Sequence, residues 1–203
     1  MFVKICGISR LEDARAALDA GADAIGFNFW SPSPRAVSLQ QATTIAEKLA
    51  KDILRVGVFV NPTRDEVEQA FSSGAIVKAQ FHGDETPEFC QQFAGRYWKA
   101  IGLRDEQSLA RLSLYDCDRF VIDSDTPMYG GSGLAPSVAL AAQAAARHSV
   151  ILAGGLTADN VATAIASVQP FGVDVASGVE SAPGKKDHKK VAAFVHAAKG
   201  SRC

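Results

Sequence analysis

The chain has 203 residues and a formal net charge of −1, with 47% hydrophobic and 21% charged residues. This length and composition fit a globular protein with one buried core, and the near-neutral charge argues against a nucleic-acid or anionic membrane partner. No apolar run approaches the ~20 residues of a membrane span, and the amino terminus lacks the apolar region of a signal peptide, so we expect a cytoplasmic protein.

Eight short apolar runs alternate with helical patterns from one end of the sequence to the other. The predicted strands cover residues 2–6, 24–29, 54–60, 76–81, 97–101, 119–123, 150–154 and 172–176. Several of them are almost continuous apolar runs, which is typical of parallel strands that are covered on both faces.

Helical patterns fill the segments between these strands. Ser38 is a predicted N-cap for a helix that runs to about residue 50, and Thr63 is expected to form a capping box with Glu66. Thr86 precedes a proline that suits the first turn of a helix. The other predicted helices cover residues 11–20, 157–167 and 187–199.

The 203 residues divide into eight such units of about 25 residues each. An α/β pattern of this kind predicts a (β/α)8 TIM barrel, with parallel strands inside and helices outside. We expect residues 1–203 to form a single barrel domain, because no long insertion or linker interrupts the pattern. An open, doubly wound sheet is the alternative, but no Gly-x-Gly-x-x-Gly motif follows the first strand.

Polar residues gather at the predicted carboxyl ends of the strands, where such a barrel carries its active site. Cys6 ends the first strand, Arg35 follows the second, and Asp123 ends the sixth. The other polar residues at these ends are Gln80, His82 and Asp174. Residues that are far apart in the sequence are thus predicted to share one rim.

Glycine clusters follow the last three predicted strands. They are Gly130-Gly131-Ser132-Gly133, Gly154-Gly155 and Ser177-Gly178. Glycine lets backbone N–H groups approach a phosphate closely, and the last loops of such barrels, with a short extra helix, commonly bind phosphate. We therefore expect a phosphate site in these loops.

The four cysteines are Cys6, Cys90, Cys117 and Cys203, and they are widely scattered. No Cys-x-x-Cys or clustered Cys/His pattern indicates zinc, so we expect reduced thiols. A cysteine in an apolar strand is usually a small buried hydrophobe. A catalytic role for Cys6 therefore needs support from the motifs around it.

The motifs at the strand ends resemble those of the phosphoribosylanthranilate isomerases. The matching segments are Lys4-Ile5-Cys6-Gly7, Gly57-Val58-Phe59-Val60-Asn61, Gln80-Phe81-His82-Gly83, Asp123 followed by Gly130-Gly131-Ser132-Gly133, Ala153-Gly154-Gly155-Leu156, Asn160-Val161, Asp174-Val175-Ala176-Ser177-Gly178-Val179-Glu180 and Pro183-Gly184-Lys185-Lys186-Asp187. They occur in the family's order over nearly the whole chain. Each motif is weak alone, and together they are very specific.

The resemblance implies an Amadori rearrangement in tryptophan biosynthesis, which turns N-(5-phosphoribosyl)anthranilate into 1-(2-carboxyphenylamino)-1-deoxyribulose 5-phosphate. It implies Cys6 as the catalytic base, helped to lose its proton by nearby positive charge, and Asp123 as the acid. Arg35 matches the residue that pairs with the anthranilate carboxylate. The remaining implied substrate contacts are His82, Gly131, Gly154, Gly155, Asp174, Ser177 and Gly178. Proton transfer alone completes the reaction, so we expect no metal or organic cofactor, and a monomer or homodimer.

Several alternatives stay open on the sequence. Asp125 is the alternative acid, two residues beyond Asp123. The family usually carries a Phe-Asp-Trp-like segment where this chain reads Leu134-Ala135-Pro136-Ser137, which leaves open how the start of the sixth helix is anchored. The related isomerase of histidine biosynthesis would use two aspartates, and indole-glycerol-phosphate synthase would show a lysine-centred site. A non-catalytic phosphate-binding barrel would keep the glycine loops and could lack the acid or the base.

Overall fold

A computed structural model describes residues 1–123 and 137–200 of the chain. Its barrel strands are β1 (Phe2–Cys6), β2 (Ala24–Asn28), β3 (Leu54–Phe59), β4 (Lys78–Phe81), β5 (Tyr97–Gly102), β6 (Phe120–Asp123), β7 (Val150–Leu152) and β8 (Gly172–Val175). Its helices are α1 (Leu11–Asp19), α2 (Leu39–Ala46), α3 (Arg64–Ser72), α4 (Pro87–Gln91), α5 (Glu106–Ala110), α6 (Val138–Ala145), α7 (Val161–Val168) and α8 (His188–Gly200).

The parallel strands β1 to β8 form a closed barrel in chain order. Closure comes from β1, which pairs with β2 on one side and with β8 on the other. A short antiparallel hairpin, β9 (Glu180–Ala182) and β10 (Lys185–Lys186), lies between β8 and α8. The predicted α/β barrel is therefore confirmed, and the open sheet is excluded.

Side chains of each strand alternate between the barrel interior and the layer under the helices. In β1, Val3 and Ile5 belong to the large core, whereas Phe2 packs on a smaller interior cluster. Lys4 and Cys6 share the face of Phe2 and therefore point inward. The interior cluster consists of Ala24, Val56, Trp98, Ala100, Val121, Ile151 and Ala153.

All eight predicted strands are present, with boundaries that differ by at most two residues. The predicted caps are also confirmed. Ser38 and Thr63 each form a capping box, and the Thr86 hydroxyl accepts a hydrogen bond from the backbone N–H of Phe89.

Two predicted helix boundaries are wrong. Helix α2 ends at Ala46 instead of residue 50, because the N–H groups of Lys48 and Leu49 bond to carbonyls three residues back and tighten the chain into turns. Helix α7 begins at Val161 instead of residue 157. The Asn160 side chain accepts from Thr157 N at 2.8 Å and donates to the carbonyl of Gly155 at 2.9 Å, which holds this segment outside the helix.

Some predicted features lie outside the described residues: Asp125, Gly130 to Gly133, Leu134-Ala135-Pro136 and Cys203. Within the described residues, Cys6, Cys90 and Cys117 are free thiols, as expected. No helix in residues 1–123 and 137–200 has the length and apolar character needed to cross a bilayer.

Candidate active site

The carboxyl ends of the barrel strands surround a cavity of about 190 Å³. Cys6, at the end of β1, and Asp123, at the end of β6, both line this cavity. The other predicted site residues in its wall are Arg35, His82, Gly154, Gly155, Asp174, Ser177 and Gly178. Every predicted site residue that the structure describes therefore lies at one cavity, and Gly131 is outside the described residues.

A buried ion pair between Lys4 and Asp174 lies next to the Cys6 thiol. The two residues are register partners on β1 and β8, and Lys4 Nζ donates a hydrogen bond to Asp174 Oδ2 at 2.7 Å. The other carboxylate oxygen, Oδ1, is buried and has no hydrogen-bond partner within residues 1–123 and 137–200. Asp174 lines the cavity, so this oxygen can accept a hydrogen bond from a ligand there.

The groups around Cys6 act on its pKa in opposite directions. Burial raises the pKa of the thiol above its usual value, Lys4 lowers it, and Asp174 adds to the increase. Burial also acts to lower the pKa of Lys4, but Asp174 and Cys6 outweigh burial and the pKa of Lys4 is raised. The thiol of Cys6 is therefore harder to ionise than an ordinary thiol, although the ammonium group of Lys4 lies beside it. The expected positive charge is present, but burial has the larger effect.

His82 stands beside Asp123 as a neutral imidazole. Burial, followed by the charges of Lys99 and Lys4, lowers the pKa of His82 to about 3. Gln80 Nε2 lies 3.0 Å from His82 Nδ1, so the amide donates to that nitrogen and the ring proton is on Nε2. This Nε2 lies 3.6 Å from Asp123 Oδ2, a gap that is longer than a hydrogen bond and can shorten around a ligand.

Arg35 is already paired with a carboxylate of the protein. Its Nε and Nη2 donate to the two oxygens of Glu180, each at 2.8 Å. Glu180 also accepts a hydrogen bond from Lys186 Nζ at 3.0 Å. Burial acts to raise the pKa of Glu180, but Arg35 and Lys186 outweigh it and hold that pKa below its usual value. The pair uses Nε and Nη2 of Arg35, and Nη1 takes no part in it.

The loops after β7 and β8 are in close contact at the end of the cavity that Gly154, Gly155 and Gly178 line. Gly154 and Gly155 have φ angles of 86° and 63°, a left-handed conformation that favours glycine. Ser177 and Gly178 begin a three-residue 3₁₀ turn, which takes the place of the expected extra helix. A Cβ on Gly178 would lie 1.9 Å from the carbonyl oxygen of Leu156, so only glycine fits there.

Three charged residues of this site were not predicted from the sequence: Lys4, Glu180 and Lys186. The signal for Lys4 was available, because a charged residue two positions before Cys6 in an apolar strand shares its face. Glu180 and Lys186 belong to a hairpin that approaches Arg35 only in the folded chain, and no local pattern predicts that contact.

The chain is similar in sequence and in fold to one family of enzymes. The sequence profile of a family described as N-(5'phosphoribosyl)anthranilate (PRA) isomerase matches residues 3–197. The chain is 47% identical over 201 residues to the N-(5'-phosphoribosyl)anthranilate isomerase of Pelobacter propionicus, covering 98% of this chain and 96% of that relative. The fold is similar to the crystal structure of phosphoribosyl anthranilate isomerase from Thermotoga maritima, with a TM-score of 0.91, 41% identity, and 98% and 99% of the two chains covered. Another similar structure, with a TM-score of 0.88, 37% identity, and 98% and 99% coverage, is a phosphoribosyl anthranilate isomerase in complex with reduced 1-(o-carboxyphenylamino)-1-deoxyribulose 5-phosphate.

Proposed function

The chain belongs to the N-(5'-phosphoribosyl)anthranilate isomerase family, and on that premise we propose that Cys6 and Asp123 are the base and the acid of its reaction. The protein is an isomerase of tryptophan biosynthesis that acts on N-(5'-phosphoribosyl)anthranilate. The observation that supports the assignment is the position of a thiol from β1 and a carboxyl group from β6 in the wall of one cavity.

The proposed chemistry moves protons only. Asp123 protonates the furanose ring oxygen, and the ring opens to a Schiff base between C1 and the anthranilate nitrogen. Cys6, whose own proton has first passed to solvent, then acts as the thiolate and removes the proton from C2, which gives an enolamine. The enolamine gains a proton at C1 and loses the one on the C2 hydroxyl, so the product is an isomer of the substrate. Lys4 stabilises the thiolate, since its ammonium group offsets part of the effect of burial.

The other residues of the cavity bind and orient the substrate. Arg35 receives the anthranilate carboxylate, and the unpartnered Oδ1 of Asp174 accepts a hydrogen bond from a sugar hydroxyl. His82 orients Asp123 through its Nε2–H, which lies 3.6 Å from Asp123 Oδ2. Gly155, Ser177 and Gly178 contact the phosphate, and Gly131 and Gly154 complete the proposed substrate contacts. We further propose that residues 1–203 act as one cytoplasmic domain, alone or as a homodimer.

Turnover of freshly prepared phosphoribosylanthranilate tests the acid–base assignment. We expect Cys6→Ser and Asp123→Asn each to lower kcat by about 10²- to 10⁴-fold, because each removes a proton-transfer group. The Michaelis constant should change much less, since neither group supplies the main binding contacts.

Two matched variants control for general damage. Cys117→Ser changes a thiol that donates to the carbonyl of Arg119, outside the cavity, and Asp116→Asn changes an exposed carboxylate. Both should keep the wild-type kcat. Wild-type turnover in Cys6→Ser or in Asp123→Asn would exclude that residue as base or acid, and slow turnover in all variants and the wild type would favour a binding protein.

A further inference from the structure

Glu180 occupies one edge of the Arg35 guanidinium, so a ligand can bind only to the other edge. A guanidinium has two edges that can each hold a carboxylate with two parallel hydrogen bonds. Glu180 occupies the edge formed by Nε and Nη2, at 2.8 Å on both sides. The edge formed by Nη1 and the second proton of Nη2 is left for a ligand. Arg35 lines the cavity, and its side chain is 11% exposed.

Glu180 is held in place from the side away from Arg35. Its Oε1 accepts from Lys186 Nζ at 3.0 Å and from the backbone N–H of Gly184 at 3.3 Å. Lys186 in turn donates to the carbonyl of Ala176 at 3.0 Å. Both side chains of the Glu180–Lys186 pair are at least nine-tenths buried. Glu180 is thus a fixed carboxylate, and the guanidinium must align with it.

The aliphatic part of Arg35 is fixed as well. Gly7 directly follows Cys6 and has a φ of 73°, and a Cβ on Gly7 would lie 2.6 Å from Arg35 Cδ. The aliphatic part of Arg35 therefore packs on the backbone of Gly7, next to the proposed catalytic base Cys6. With Lys186 protonated, Arg35, Lys186 and Glu180 together carry one net positive charge, which an incoming carboxylate would balance.

We propose that Glu180 is a positioning residue. It holds the Nε–Nη2 edge of the Arg35 guanidinium, so that the Nη1–Nη2 edge receives the anthranilate carboxylate. This inference rests on the proposed function of Arg35. The opposite role for Glu180 is that of a competitor, which the substrate carboxylate must displace from Arg35. The two roles predict opposite effects on affinity.

The test compares two ligands in wild type, Glu180→Gln and Arg35→Ala. One ligand is reduced 1-(o-carboxyphenylamino)-1-deoxyribulose 5-phosphate, and the other is the same molecule with a phenylamino group and no carboxylate. Dissociation constants from calorimetry give the preference for the carboxylate. We expect Glu180→Gln to reduce this preference about tenfold, because it weakens a charge-assisted contact that orients Arg35. A merely structural defect would weaken both ligands equally and leave the preference unchanged.

Each outcome has a distinct meaning. Loss of the preference in both variants supports the positioning role. Loss in Arg35→Ala with an unchanged preference in Glu180→Gln overturns the role of Glu180 and keeps that of Arg35. An unchanged preference in Arg35→Ala overturns the proposed contact itself. Tighter binding of the carboxylate ligand by Glu180→Gln identifies Glu180 as a competitor.

A structure of the wild-type complex decides the matter if Glu180→Gln does not fold. The positioning role requires that Glu180 still holds Nε and Nη2 of Arg35 in the complex, while the ligand carboxylate contacts Nη1 and Nη2. A complex in which Glu180 has left Arg35 overturns the proposal.

Discussion

Gly26 of β2 lies directly beside the Cys6 thiol of β1. The two residues are register partners, and a Cβ on Gly26 would come within 2.9 Å of Cys6 Sγ and 3.2 Å of Lys4 Cε. Glycine at this position of β2 therefore leaves the space that the thiol and the ammonium group occupy together.

The Gly26→Ala variant should displace the thiol without removing it. We expect kcat to fall by roughly 10- to 100-fold, because a shift of about 1 Å at a reacting atom has effects of this size. Steady-state turnover measures the loss, and thermal unfolding shows whether the barrel is intact. Gly200→Ala is the control, since a Cβ on Gly200 meets nothing within 4 Å. Full activity in Gly26→Ala would show that a Cβ at this position does not move the Cys6 thiol enough to slow catalysis.

The pKa of Cys6 should depend on Lys4. Burial raises the thiol pKa and Lys4 lowers it, so removing the ammonium group in Lys4→Met should raise the pKa further. We expect the rate of Cys6 alkylation by iodoacetamide to rise with pH through a midpoint above that of an ordinary thiol in the wild type, and through a higher one in Lys4→Met. Peptide mass spectrometry distinguishes Cys6 from the other cysteines. A lower midpoint in Lys4→Met would contradict the assigned role, and Lys4→Arg should stay near the wild type.

His82 should stay neutral over the whole physiological range. Burial and the charges of Lys99 and Lys4 place its pKa at about 3, so its ring signals should not titrate between pH 5 and pH 8. Nitrogen NMR should also report the proton on Nε2, because Gln80 donates to Nδ1. The His82→Gln spectrum identifies the signals by their loss. A titration near the usual value of 6.5 would show that the ring is more hydrated than the structure indicates.

The buried pair of Lys99 and Glu85 should matter for stability. Lys99 Nζ donates to Glu85 Oε2 at 3.1 Å and to the carbonyls of Phe81 and Gly83, and both charged side chains are at most 2% exposed. We expect Lys99→Met to lower the free energy of unfolding by about 3–5 kcal/mol, because it leaves a buried carboxylate without its partner. Urea denaturation measures this loss.

Two further variants define the origin of that loss. Lys99→Met combined with Glu85→Gln should recover part of the stability, since the uncompensated charge is gone. Lys199→Met breaks the exposed pair with Asp23 and should change the free energy of unfolding by no more than about 1 kcal/mol. Equal losses in Lys99→Met and Lys199→Met would show that burial adds nothing to the Lys99–Glu85 pair.

The sequence by itself determined the barrel and the location of its site. Apolar runs with strand length and the caps at Ser38 and Thr63 are local features, and each acts on residues that are neighbours in the chain. Because parallel strands in a closed barrel place their carboxyl ends on one face, the types of residue after the strands were enough to put Cys6 and Asp123 at one rim.

Only the tertiary structure decided which charges meet. Lys4 pairs with Asp174 across 170 residues, and Arg35 pairs with Glu180 across 145. Such contacts depend on the register with which β8 closes onto β1 and on the path of the hairpin after it, and neither leaves a pattern in the local sequence. The electrostatic state of the site follows from these contacts, because burial and partner charges together set the pKa of a group.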